Sequence, residues 1–156
     1  MPRLILIRHG ETDWNVTSRA QGHQDEPLNE RGIVQADLSG QFLRDNFDLQ
    51  GIWSSDLVRC VRTADAIGAP IQLSKSIREV NFGDWEGQRW DEIGRVDPQG
   101  RQRLSSGDPD FCPPGGESMR DVVARIRRFI ADTAVLESEG DIAIVAHGGS
   151  LKCLMV

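Results

Sequence analysis

The sequence predicts an α/β protein, a three-layer α/β/α sandwich around a mostly parallel central sheet. Three observations lead there. Leu4–Ile7 is an unbroken apolar run, which suits a short strand buried on both faces. Asp141–Ala146, with Ile142, Ile144 and Val145, repeats that pattern near the other end of the chain. Between them, short apolar runs alternate with helix-length segments in the order β-α-β-α-β-α-β, which builds a parallel sheet covered by helices on both faces.

The elements follow in order. The first strand stops abruptly at Arg8-His9-Gly10-Glu11. It delivers a cation and an imidazole to the carboxyl edge of the sheet, where open α/β sheets bind ligands. Gly10 lets the backbone turn there. Glu11–Leu28 reads as a polar loop carrying Gly22 and Pro27. Asn29 then caps a helix of roughly four turns, with Val34, Leu38 and Phe42 expected as its buried stripe. Gly51–Ser54 reads as a second strand, and Ser55 or Asp56 as the cap of a helix to about Ile67. Arg59 sits one turn inside that helix. Side chains lean toward a helix N-terminus, so Arg59 reaches the strand edge.

Pro70–Leu73 is the third strand. Arg78–Gly87 is an acidic, aromatic, glycine-bearing loop that holds Glu79. A weak helix is expected near Asp91, and Gly107–Gly116 is an irregular connection. A long helix starts near Glu117 or Ser118, where Ser118 and Asp121 form a capping pair. Ile126, Phe129, Ile130 and Thr133 are its expected buried stripe. The last strand ends in His147-Gly148-Gly149-Ser150, which repeats the device of residues 4–10.

Length and composition fit one globular domain over residues 1–156. The net charge of −6 argues against a nucleic-acid or anionic-membrane partner. It leaves room for a small anionic substrate held by local arginines. Cys60, Cys112 and Cys153 are odd in number and widely spaced, which suggests reduced thiols in a cytoplasmic protein. No stretch has transmembrane length, and residues 1–10 lack a signal-peptide layout. Only Ser150–Val156 follow Gly149. The domain is therefore expected to lack its C-terminal helix and edge strands, with Leu151, Leu154, Met155 and Val156 beginning a buried helix. Self-association into a homodimer is one expected way to cover the exposed flank.

Arg8, His9, Arg59, Glu79 and His147 thus converge on one sheet edge. Two histidines, two arginines and a carboxyl group suit phosphoryl transfer. A neutral imidazole attacks phosphorus, guanidinium groups neutralise charge that spreads over phosphate oxygens, and a carboxylic acid protonates the departing alkoxide. Plainer readings compete. The histidines could be structural, and Arg59 could form a surface salt bridge with Asp56. Glu11, Asp84 and Glu86 rival Glu79. His23 reads as solvated or as a substrate-rim contact, Trp85 and Trp90 as packing, and Cys60 as a helix residue rather than a nucleophile. His9-Gly10-Glu11 has the His-x-Glu form of zinc deaminases, but the cysteines at 60, 112 and 153 offer no Pro-Cys-x-x-Cys partner, so that zinc chemistry is rejected.

The chain resembles the histidine phosphatase superfamily, the fold family of phosphoglycerate mutases and fructose-2,6-bisphosphatases. The matching pieces, in family order, are Arg8-His9-Gly10-Glu11-Thr12 with Trp14-Asn15, Pro27–Gly32, Ser54–Leu57 with Arg59, Arg62, Thr63 and Ala64, Arg78-Glu79 with Phe82-Gly83 and Trp85-Glu86-Gly87, Pro113–Ser118, and His147-Gly148-Gly149. The resemblance implies a phosphoglycerate mutase-like fold with His9 as a nucleophile that becomes phosphohistidine. It implies that Arg8, Asn15, Arg59, His147 and Gly148 contact the phosphoryl group, that Glu79 donates the leaving-group proton, and that Gln21 and Gly22 face substrate. It implies no metal and no resident cofactor. Phe82–Gly87 and Pro113–Ser118 look most like a small bacterial phosphatase branch that includes α-ribazole phosphatases. The expected activity is hydrolysis of a small phosphorylated metabolite. Mutase-type transfer and a non-enzymatic phosphate-binding module are the alternatives.

Overall fold

The computed structural model describes residues 3–155. Strands β1 (Leu4–Arg8), β2 (Leu49–Ser54), β3 (Ile71–Leu73) and β4 (Asp141–Ala146) form one parallel sheet in the order β1-β4-β2-β3. β4 lies between β1 and β2 and is covered on both faces, which is why Ala143–Ala146 are all apolar and fully buried. Leu4 pairs with Ile142 and Arg8 with Ala146, while Ser54 pairs with Val145. The carboxyl ends of β1, β4 and β2 are therefore level. The His9 N–H donates to the Ala146 carbonyl at 3.1 Å, and the Ser55 N–H to that of Val145 at 3.0 Å.

Alternation along the strands divides the core in two. On one face, Leu4, Leu6, Trp53, Ile144 and Ala146 pack against Val122, Ile126 and Phe129 of helix α6 (Met119–Thr133) and Cys153 of α7 (Gly148–Leu154). On the other, Ile5, Ile7, Ile52, Ala143 and Val145 meet Leu43 of α2 (Glu30–Asn46) and Cys60 and Ala64 of α3 (Val58–Asp65). A third cluster of Ala20, Trp85, Ile93 and Phe111 holds the excursion that carries α4 (Trp90–Val96) and α5 (Pro98–Ser105). Trp85 packs on Phe111 and Trp90 on Phe82, at ring separations of 5.5 and 5.2 Å. No helix among the described residues is long and apolar enough to cross a membrane.

Several local expectations need correction. Val34, Leu38 and Phe42 are 56%, 63% and 60% exposed, and the buried face of α2 is Gly32, Ala36, Gly40 and Leu43. The helix packs through small residues so that backbones approach closely; a Cβ at Gly40 would run into the Ala66 carbonyl oxygen. Leu38 and Phe42 instead line a groove of about 500 Å³ with Leu6, Ile7 and Leu43, along the outer edge of β1. The loop after β1 contains a short helix, α1 (Asp13–Val16), capped by Thr12. Neither Ser55 nor Asp56 is the cap residue of α3; that place is taken by Leu57. The Asp56 carboxylate receives the Arg78 guanidinium on two hydrogen bonds of 2.6 Å, and this bidentate pair outcompetes a cap. α5, begun by Pro98 after the Asp97 cap, had no apolar stripe to announce it. Leu151 and Leu154 pack against the α6 face, but Met155 is 69% exposed, and Val156 lies outside the described residues.

The α2 correction is testable by urea unfolding. Phe42→Ser should cost about 1 kcal/mol or less, as for an exposed side chain. Leu43→Ala should cost about 2–5 kcal/mol. Equal losses would put Phe42 back in the core.

Candidate active site

His9, only 9% exposed, leaves the end of β1. Its Nδ1 lies 2.7 Å from the Gly10 carbonyl oxygen. A carbonyl only accepts, so Nδ1 carries the ring proton and Nε2 keeps its lone pair. Burial lowers the His9 pKa to about 3, with the Arg59 and Arg8 charges acting in the same direction against the Gly10 hydrogen bond. The ring is neutral at physiological pH. His147, fully buried at the end of β4, meets it edge-on at 5.1 Å between ring centroids. Its Nε2 is 2.9 Å from Ser55 Oγ and 3.4 Å from Cys60 Sγ. Burial, then Arg59 and His9, hold the His147 pKa well below the usual range. Cys60 sits inside α3, and burial pushes its thiol far up, so it is no nucleophile.

Arg59 is completely buried. Its Nη1 donates to the Gln24 carbonyl at 2.7 Å and Nη2 to that of Gly22 at 2.8 Å. Its Nε is a buried donor without a partner, the one such side-chain atom among the described residues. One turn on, Thr63 Oγ1 donates to the Arg59 carbonyl and accepts from the Gly10 N–H at 3.1 Å, which ties α3 to the loop after β1. The Arg59–Asp56 surface pair considered from sequence does not form, since Asp56 holds Arg78.

The Glu79 carboxylate lies at the start of α7, beside His147. Oε1 accepts from the Val80 and Ser150 N–H groups at 2.9 and 3.2 Å, and Oε2 from the Gly149 N–H at 3.1 Å. Any side chain at Gly149 would collide with Glu79 Oε1. Of the rival acids, Glu86 and Asp84 are occupied elsewhere, whereas Glu11 lines the same cavity as Arg8 and His9. Glu11 accepts from Asn29 Nδ2, and Glu86 Oε1 from the His23 and Phe82 N–H groups. Asp84 lies against the Pro114–Gly115 turn.

Arg8 is exposed and, with His9, Glu11, Asn15 and Gln35, lines a cavity of about 290 Å³. Gly148 starts α7 next to the Arg8 guanidinium. Asn15 Oδ1 caps α1 by accepting from Thr12, and its amide nitrogen points no hydrogen bond at the protein among the described residues. Gln21 is mostly buried, its Oε1 accepting from Thr12 Oγ1 at 3.0 Å, so it braces the loop more than it lines the rim. Gly22 acts through its carbonyl on Arg59. Ser55 stood within the matching stretch Ser54–Leu57, but its role as the partner of His147 was not read there, and the Gln24 carbonyl carried no signal because main-chain groups have no residue type. Among the described residues no three histidine, cysteine or carboxylate side chains gather as a metal set.

A parallel sheet that ends in two neutral histidines under arginine cations defines an anion-handling α/β enzyme site. Residues 4–156 match the model of the histidine phosphatase superfamily (branch 1), and the chain belongs to that superfamily. It is 35% identical to the probable phosphoglycerate mutase GpmB of Salmonella choleraesuis, over 99% of this chain and 74% of that one. A mycobacterial glucosyl-3-phosphoglycerate phosphatase complexed with VO3 superposes with a TM-score of 0.89 at 35% identity, over 99% of this chain and 79% of that one. A putative α-ribazole-5'-P phosphatase from Escherichia coli gives 0.86 at 32% identity, over 99% and 77%.

Two measurements check the histidines. In NMR titrations the His9 and His147 ring protons should keep their neutral positions well below the ordinary histidine pKa of about 6.5. Between the unfolded and folded pKa values the unfolded chain binds the extra proton, so each buried histidine subtracts stability as pH falls below about 6.5, by about 1.4 kcal/mol per pH unit. Titration of either ring at its ordinary pKa would contradict this electrostatic picture.

Proposed function

We propose that the protein is a phosphomonoesterase that hydrolyses a small phosphorylated metabolite through a phosphohistidine at His9. The observation that carries this reading is the Nδ1–H of His9 fixed on the Gly10 carbonyl, which leaves Nε2 as a neutral nucleophile. The Nε2 lone pair forms the N–P bond as the bond from phosphorus to the ester oxygen breaks. Glu79, protonated, gives its proton to the departing alkoxide. Arg8, Arg59 and His147 hold the non-bridging oxygens, and the unpartnered Arg59 Nε is a buried donor that a phosphate oxygen would satisfy. The Asn15 amide and the Gly148 N–H supply further donors. Gln21 braces the loop after β1 and the Gly22 carbonyl holds Arg59, so the two act on the phosphoryl group through that loop. A water molecule then attacks phosphorus, Glu79 takes its proton, the N–P bond breaks, and His9 returns with inorganic phosphate as product. The scheme uses no metal and no cofactor.

The phosphatase names of two of the relatives support hydrolysis over return of the phosphoryl group to substrate, and the cavity against Arg8 and His9 has room for a water molecule. The mutase name of the third keeps transfer as the second reading. The free thiols support a reducing, cytoplasmic setting.

A screen of phosphorylated metabolites for released phosphate, with His9→Ala as blank, tests the proposal. Hydrolysis should fall by on the order of a thousandfold or more in that variant. Phosphoryl transfer to a second substrate without free phosphate would establish a mutase, and inertness toward every phosphodonor a binding module. Glu79→Gln should slow alkyl phosphates far more than aryl phosphates, whose leaving groups need little protonation. Equal slowing would make Glu79 a positioning group.

A further inference from the structure

Glu79 lies where no helix or strand fixes it. Residues 78–82 are irregular and lie between two single-turn helices, Lys75–Ile77 and Gly83–Trp85. Side chains from distant parts of the chain hold this segment. The Glu79 carbonyl accepts two hydrogen bonds, from Arg125 Nη2 at 2.8 Å and from His23 Nε2 at 2.9 Å. Arg125 Nη1 also donates to the Ser76 carbonyl at 2.7 Å. Glu117 Oε1 accepts from the Asn81 N–H at 2.9 Å, and the Glu117 N–H donates to the Asn81 carbonyl at 2.9 Å. Arg125 and Glu117 are themselves paired, Nη2 to Oε1 at 2.7 Å and Nε to Oε2 at 3.2 Å, and each side chain is only 18% exposed. His23 lies between Gly22 and Gln24, whose carbonyls hold Arg59.

We infer that Arg125, Glu117 and His23 are positioning residues for Glu79, and that His23 ties the place of the acid to that of the Arg59 cation. The inference rests on Glu79 being the leaving-group acid. His9 and His147 are anchored by β1 and β4, and Arg59 by α3. The frame anchors only the acid's segment and one side of the Arg59 loop. Removing Arg125 leaves the Glu117 charge and the Ser76 and Glu79 carbonyls short of partners, removing the Glu117 side chain leaves the Arg125 charge and the Asn81 N–H short of them, and in either case the segment shifts. Proton transfer to the leaving group depends steeply on distance and suffers first, while attack by His9 on phosphorus keeps its geometry.

The test is a series of phosphate monoesters, from alkyl to aryl leaving groups, assayed with wild type, Glu117→Gln, Arg125→Lys, His23→Leu and Glu79→Gln. Glu117→Gln and Arg125→Lys should lower kcat/KM for alkyl esters about tenfold to a hundredfold, and for aryl esters less than about threefold. Their dependence on leaving-group pKa should approach that of Glu79→Gln, and Glu79→Gln combined with Glu117→Gln should lose little beyond Glu79→Gln alone. His23→Leu, at a mostly buried position, should show a smaller loss selective for alkyl esters on top of a loss common to both classes, because His23 also braces the Arg59 loop. If the other variants fail to fold it decides the matter, and an alkyl loss no larger than the aryl loss overturns the frame. Parallel losses on both ester classes, no loss on either, or full additivity in the double variant would overturn the frame. If Glu79→Gln is selective and the frame variants are not, the frame alone falls. If Glu79→Gln slows both classes equally, the acid assignment falls and takes the frame with it.

Discussion

β1 and β4 run parallel in unbroken register from Leu4–Ile142 to Arg8–Ala146, and the chemistry of the site depends on that pairing. Two parallel strands that end level must set their next residues side by side. Those residues are His9 and His147, with ring centroids 5.1 Å apart. β2 ends level with them and adds Ser55 under the His147 ring. A slip of one residue in β1 would turn its apolar side chains to the wrong faces and carry His9 away from its neighbour. The two apolar cores that hold the register therefore also hold the geometry of the proposed site.

The electrostatics of the site run against those of the whole molecule. A chain of net charge −6 buries an arginine completely and holds its two Nη atoms with carbonyl oxygens from Gly22 and Gln24 rather than with a carboxylate, leaving Nε without a partner. Carbonyl dipoles solvate a guanidinium without cancelling its charge, so Arg59 remains a net cation at the sheet edge. Its field, added to burial, keeps both histidines neutral. Under the proposed function, a phosphoryl group entering the site would meet positive charge and a free imidazole lone pair together. Glu79, one of the carboxyl groups that feel that charge, is turned onto the N–H groups that open α7.

What the sequence made legible was local. A buried run that stops at histidine and glycine marks a strand edge twice, and the Asn29 and Ser118 caps are hydrogen bonds to residues three positions on. Each of these signals sits within a few residues. The parts that escaped reading are long-range or chemically silent. The inner face of α2 is built from Gly32, Ala36 and Gly40, which carry little hydrophobicity to detect. The partners of Arg59 are main-chain carbonyls. Asp56 could cap a helix or bind Arg78, and only the folded chain, which brings residues 22 positions apart together, decides between them. The Arg125 contact with Glu79 spans 46 positions.

The most direct test of the account is to quench the enzyme in base during turnover and locate the phosphoryl group by mass spectrometry and ³¹P NMR. The account predicts a base-stable, acid-labile phosphoryl group on Nε2 of His9, absent from His9→Ala and lost on chase with unlabelled substrate. A phosphoryl group on Nδ1, on His147 or on any other residue would contradict it, as would steady release of phosphate with no phosphoenzyme formed at any time in the turnover.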